Sequence, residues 1–219
     1  MKGRFLGKAT RQSSPLPIWG DRRRARIGLL GGSFNPAHSG HLQIALYALK
    51  LLRLDQVWLL VSPGNPLKSG SFMAPFAQRL SSAQMLADGR RIIATDWEFR
   101  LGERYTWRTI LELKKRFPCV QFVWLMGSDG FAHFTRWRRW RQIARSVPVA
   151  IFPRPYSVIS ALKGKAAAFL HRYRHKTCQA AQLPAQVKLP CWVFLSTPRN
   201  PISSTIIRES GHKSHLKKE

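Results

Sequence analysis

Apolar residues recur along the chain in short continuous runs that alternate with longer stretches of helical period. Ile27-Gly28-Leu29-Leu30, closed by Gly31-Gly32, predicts a buried parallel strand running into a tight loop. Over residues 40–52, Leu42, Ile44, Ala45, Leu46, Ala48, Leu49 and Leu52 predict a largely apolar helix. Strand, glycine loop and helix in that order open a doubly wound sheet. Residues 56–62 read as a second strand, ended by the Pro63-Gly64-Asn65-Pro66 turn. A helix follows at 75–87, with Phe76, Leu80, Ala83 and Leu86 at helical spacing, and then a strand at 92–94. Residues 106–117 predict a helix with Trp107, Ile110, Leu111 and Lys114 on one face, stopped by Pro118.

Beyond it come a strand at 120–126, an aromatic and basic helix at 131–144, a strand at 147–152, a late strand at 192–195 and a final helix from about Ser203. The segment 153–190 is basic, rich in alanine and weakly patterned, and predicts only helix and loop. Such alternation predicts an α/β fold, a Rossmann-like doubly wound parallel sheet flanked by helices with right-handed crossovers. We expect one domain over 22–210, a disordered basic arm at 1–21 and a basic tail at 211–219.

Composition changes this picture in one respect. A hydrophobic content of 44% and an aromatic content of 11% are those of a folded globule, and 219 residues suffice for one domain without cross-links. The outlier is charge: 37 Lys and Arg against 10 Asp and Glu leave +27, a field that draws polyanions. The three cysteines show no CxxC pairing, so neither a disulfide framework nor a zinc ribbon is indicated, and a cytoplasmic location is expected. No run approaches the apolar length of a membrane span, and Arg22-Arg23-Arg24 lacks the apolar stretch that a secretory signal needs.

The chemistry concentrates where the first strand gives way to the first helix. Gly31-Gly32-Ser33-Phe34-Asn35-Pro36-Ala37-His38-Ser39-Gly40-His41 stands beyond a strand's carboxyl end, where open α/β sheets bind ligands. Its glycines allow close approach of backbone amides to phosphate, and His38 and His41 can face the same side as the helix N-terminus. Two imidazoles and several amides aimed at one spot suit a phosphate whose charge grows during transfer. HxxH without a third nearby ligand is a weak zinc signal, so no protein metal site is expected. Far along the chain, Ser203-Ser204-Thr205-Ile206-Ile207-Arg208 offers hydroxyls and amides at a helix start, with a guanidinium one turn on. Alone it would be an ordinary helix cap.

The first block resembles the GxFxPxHxGH signature of the nucleotidylyltransferase superfamily, and the second resembles its SSTxIR signature. Between them, Glu103-Arg104-Tyr105-Thr106-Trp107-Arg108-Thr109 is similar to the S-Y-T-x-x-T element of bacterial nicotinate-nucleotide adenylyltransferases. Gly127-Ser128-Asp129 with the downstream Trp137 resembles that family's G-x-D strand end and tryptophan, and the stretch from Val61 to Lys68 resembles its P-x-x-x-P-P-H-K loop. Arg104 stands where serine is common, Leu67 replaces histidine, and Tyr156 follows Arg154-Pro155 where glycine is frequent.

The resemblance implies adenylyl transfer from ATP to nicotinate mononucleotide, giving a dinucleotide and pyrophosphate. It implies catalytic roles for His38, His41, Lys68 and Arg208, and ATP contacts from Gly31, Gly32, Ser33, Phe34, Gly40, Ser203, Ser204 and Thr205. Trp137 would stack on the pyridine ring, Thr106 and the amide of Arg138 would hold the carboxylate, and Asp129 would meet a ribose hydroxyl. Mg²⁺ would arrive held mainly by the ATP phosphates. Two alternatives stay open: another transferase of the superfamily, such as phosphopantetheine adenylyltransferase, or an RNA-binding protein on the same fold. Arg136-Trp137-Arg138-Arg139-Trp140-Arg141 interleaves arginine with tryptophan as the latter requires, yet both phosphate motifs are intact, so nucleic acid is not the expected partner.

Overall fold

In the computed structural model, which describes residues 16–17, 19–64, 73–186 and 188–215, the strands form one parallel sheet. The strands are β1 (Arg26–Gly32), β2 (Gln56–Val61), β3 (Ile92–Thr95), β4 (Gln121–Gly127), β5 (Val149–Phe152), β6 (Arg174–His175) and β7 (Trp192–Phe194). Their order is β3-β2-β1-β4-β5-β7-β6, and every pairing is parallel. Helices α1 (Ser39–Leu51), α2 (Phe76–Leu86), α3 (Trp97–Arg100) and α4 (Thr106–Arg116) lie in the first half of the chain. The second half carries α5 (Ser128–Ala132), α6 (Trp140–Ser146), α7 (Val158–Leu162), α8 (Lys165–Leu170) and α9 (Ser204–His215).

The strands are apolar at nearly every position because both faces are covered. Along β2, Val57, Leu59 and Val61 join the cluster on one face, while Trp58 and Leu60 join that on the other. β4 repeats the alternation, with Phe122, Trp124 and Met126 opposed to Val123 and Leu125. A parallel sheet buried on both sides requires such a run rather than alternating polarity. One face is aromatic: Trp58 meets Phe117 and Phe122 in T-shaped pairs at 5.3 and 5.8 Å. Full burial of each such side chain contributes on the order of 2 kcal/mol. The other face is aliphatic and carries α1 through Ile44, Ala45, Ala48 and Leu49.

Several expected elements differ. The helix expected at 131–144 is broken into α5, a 3-10 turn at Phe134–Arg136 and α6. Trp137 is extended and Arg139 adopts a left-handed φ of 55°, which no continuous helix tolerates. On α4 the buried face is Thr109, Ile110 and Leu113, whereas Leu111 is exposed, so the expected face was rotated. The weakly patterned 153–190 segment resolves into α7, α8, 3-10 turns and the two-residue β6. His171 falls in a 3-10 turn and His175 in β6.

Of the arm expected at 1–21, residues 16–17 and 19–21 are described. Leu16 joins the aromatic cluster, its carbonyl accepts from Arg100 Nη1 at 3.2 Å, and Gly20 sits against the backbone of Arg116. The rest of the arm lies outside the described residues. α9 continues past the expected domain boundary at 210.

Candidate functional site

β1 is flanked by β2 on one side and β4 on the other, so the chain leaves its carboxyl end in opposite directions and a crevice opens there. Into it projects the β1–α1 turn. His38 is the N-cap of α1: its Nδ1 accepts from the Gly40 amide at 3.1 Å, and His41 Nδ1 accepts from the His38 amide at 3.2 Å. This reciprocal capping box fixes both tautomers, because a ring nitrogen that accepts leaves the proton on Nε2. Two Nε2–H donors result, their ring centroids 3.9 Å apart. Burial, and after it the charge of Arg154, push the pKa of His38 down to about 4, so it is a neutral donor at physiological pH.

Phe34, expected among the ATP contacts, buries its ring against Gly32 and 4.8 Å from that of His41, where it props the imidazole.

The distant second motif closes on this turn. Arg208 Nη1 donates to Asn35 O at 2.6 Å across 173 residues of sequence, and Ser204 Oγ donates to Pro36 O at 2.9 Å. Ser203 Oγ accepts from the Ile206 amide, and Thr205 Oγ1 accepts from Arg208 Nη2 at 3.3 Å, so the hydroxyls start α9 and steady its guanidinium. The histidine pair and Arg208 therefore share one wall of the crevice. Lys68 lies outside the described residues.

Beside the turn is a cavity of about 310 Å³ whose lining includes Gly31, Gly32, Ser33, Thr106, Trp137 and Arg138. Thr106 is the first residue of α4, whose N-terminus has no side-chain cap and carries no acid in its first turn. Trp137 is held upright by T-shaped contacts to Trp124 at 6.0 Å and Phe134 at 5.5 Å. The Arg138 guanidinium lies 4.9 Å over Tyr105, and Arg104 and Arg136 add two more cations to the lining. Asp129 is not brought into this lining; it stands in the first turn of α5, against Gly127.

Two residues of the site escaped the sequence reading. Arg79 is 2% exposed and donates to four carbonyls, Ala74 at 3.0 Å, Ser33 at 2.8 Å, Ser62 at 2.7 Å and Pro63 at 3.2 Å, tying the ends of β1 and β2 to α2. Its signal was a cation on the apolar stripe of α2, between Phe76 and Ala83. Glu98, 5% exposed on α3, lines the cavity and accepts from Thr109 Oγ1 at 3.0 Å. Burial raises its pKa to about 7 against the lowering by Thr109, with Glu103 adding to the rise. Its signal was an acid inside an aromatic tripeptide, which sequence cannot tell from a surface helix.

Among known families, the cytidylyltransferase-like model matches residues 29–210. A protein of Gluconobacter oxydans named probable nicotinate-nucleotide adenylyltransferase is 59% identical over 186 residues, 85% of this chain and 95% of its own. A protein of the same name from Gluconacetobacter diazotrophicus is 54% identical over 198 residues, 90% of this chain and 91% of its own. Among solved structures, Plasmodium falciparum nicotinic acid mononucleotide adenylyltransferase complexed with NaAD superposes with a TM-score of 0.63 at 18% identity, covering 85% of this chain and 83% of that one, which shows a shared fold.

Proposed function

The chain belongs to the cytidylyltransferase-like family and, within it, to the nicotinate-nucleotide adenylyltransferases, and from that premise we propose a division of labour among its residues. The enzyme transfers the adenylyl group of ATP to nicotinate mononucleotide, releasing pyrophosphate and forming nicotinate adenine dinucleotide. Relatives that match over most of the chain leave the phosphopantetheine alternative without support.

A 5′-phosphate oxygen of the mononucleotide attacks the α-phosphorus of ATP. The new P–O bond forms as the bond to the β-phosphate breaks, and the electron pair leaves with pyrophosphate. The Nε2–H groups of His38 and His41 donate to the reacting phosphate oxygens, and Arg208, with Lys68, balances the departing charge. Fixed donors of this kind need no reorganisation as charge develops. Ser203, Ser204, Thr205 and the amides near Gly31, Gly32, Ser33 and Gly40 seat the rest of the nucleotide. Among the described residues no group of three His, Cys, Asp or Glu is gathered for a metal, and the turn offers N–H donors rather than oxygens. Such a donor set fits Mg²⁺ carried on the ATP phosphates, where it neutralises their charge.

In the cavity, Trp137 supplies a flat face for the pyridine ring. The uncapped start of α4 at Thr106, with the amide of Arg138, takes the nicotinate carboxylate, an anion that a helix N-terminus favours. Asp129, which stands outside the cavity lining in the first turn of α5, is assigned to a ribose hydroxyl rather than to the ring. Nucleic acid is not assigned as a partner, since both phosphate motifs close on one turn beside a cavity sized for a small acceptor. No described helix is long and apolar enough to cross a membrane. A cytoplasmic setting, where ATP is abundant, fits this reading.

The observation that carries the assignment is the hydrogen bond from Arg208 to the histidine-bearing turn. Steady-state turnover with nicotinate and nicotinamide mononucleotides side by side tests it: a strong preference for the acid is expected, and a preference for the amide would overturn the pocket.

A further inference from the structure

Arg154 has no task in the scheme above, yet its placement is specific. It follows β5, and its backbone is fixed by two serines: the Arg154 amide donates to Ser128 Oγ at 2.8 Å, Ser128 Oγ and Ser157 Oγ are 2.6 Å apart, and Ser157 Oγ donates to Arg154 O at 3.2 Å. From there the side chain crosses Gly127, where a Cβ would stand 2.9 Å from Arg154 Cγ, and ends at Gly40, where a Cβ would stand 2.8 Å from Nη1. Two motif glycines thus make room for one arginine. Both belong to signatures that the sequence reading tied to phosphate and acceptor binding.

The guanidinium ends in an electrostatically poor place. Nη1 is closed off from solvent and has no hydrogen-bond partner, and among the described residues no carboxylate pairs with Arg154. Its neighbours are the positive end of α1, which repels a cation, and the neutral His38 ring, which offers it no counter-charge. Arg154 is half-buried, and a guanidinium nitrogen shut away without an acceptor is costly; an anion seated at the start of α1 would remove that cost. Arg208 touches Asn35 at one end of the turn and Arg154 touches Gly40 at the other, so the two guanidiniums bracket the histidine-bearing loop.

We propose that Arg154 is a further catalytic residue that donates to the ATP phosphates and to the pyrophosphate as it departs. The inference rests on the adenylyl-transfer reading. The bond made and the bond broken are those given above; Arg154 exchanges no proton and supplies N–H donors to oxygens whose charge grows.

The test uses the full chain with Arg154→Met, and Arg154→Gln as the variant that keeps a polar group at that depth should the first not fold. Wild-type turnover of ATP with nicotinate mononucleotide is measured first, and its absence would sink the functional reading by itself. Given turnover, the expected result is a loss of about 100-fold in kcat/KM for ATP, as for removal of one oxyanion donor, with KM for the mononucleotide within about threefold of wild type. Free guanidinium should restore part of the activity of the variant and none to the wild type. Calorimetry with inorganic pyrophosphate, which needs no turnover, should show weaker binding by the variant. A folded variant with wild-type kcat and KM for ATP would overturn the proposal, and so would a loss of activity that guanidinium does not rescue and that leaves pyrophosphate affinity unchanged.

Discussion

The histidine turn and the acceptor cavity are adjacent but are built on different principles. In the turn, polar groups satisfy one another: each imidazole accepts from a backbone amide, and Arg208 and Ser204 are anchored on carbonyls. In the cavity, shape is set by aromatic packing, and the polar groups are an uncapped helix start, three cations and a buried carboxyl. The difference separates chemistry from recognition. Donors that must meet a transition state are held by hydrogen bonds to the backbone, while the acceptor is chosen by a flat face and an excess of positive charge.

Breaking the turn should have the largest effect. His41→Ala should lower kcat by about 10²–10³-fold, the usual cost of one oxyanion donor, with little change in Tm because His41 is only partly buried. Breaking the cavity should act on binding instead. Trp137→Ala should raise KM for nicotinate mononucleotide by roughly 10- to 100-fold, given about 1–3 kcal/mol per stacked base, and leave kcat far less changed. Parallel losses of kcat in the two variants would erase the distinction drawn here.

Glu98 offers a stability readout of the same cavity. Its proton is held in the native state up to about 7, whereas an ordinary glutamate loses it near 4.5. The stability it contributes is therefore complete below 4.5 and is lost as pH rises through 7. Glu98→Gln should remove this dependence, so that its stability relative to wild type grows by roughly 3 kcal/mol between pH 4 and 8 in denaturation experiments. A pH-independent difference would show that the native carboxyl titrates like an ordinary one. The smallest effect is expected at Arg104, an exposed cation of the lining. Arg104→Ser should reduce the preference for the acid over the amide mononucleotide by up to about fivefold, in line with about 1 kcal/mol for an exposed ion pair.

What was legible in the sequence follows from how local each signal is. β1, the glycine turn and α1 were readable because strand, loop and cap lie within one short stretch, and the strands of a doubly covered sheet announce themselves as apolar runs. The break at Arg139 was not, because a left-handed residue inside an aromatic and basic stretch leaves helical spacing intact. Arg79, and the place of Arg154 against Gly40, escaped for the opposite reason. Each is explained only by carbonyls or glycines contributed from other elements, and no spacing rule reaches that far. Residues 153–190 stayed blurred because their short helices bury small residues such as Ala161, Ala166 and Ala167, which carry little periodic contrast.

The sheet finishes on one flank with β6, a strand of only two residues. A border that short exposes almost no unpaired backbone rungs, so a stray strand from another molecule finds little to zip onto. For a chain whose interior is a set of near-continuous apolar strands, a blunt ending on that side is a safeguard against fibrous association, and lengthening it would be expected to make the protein stickier.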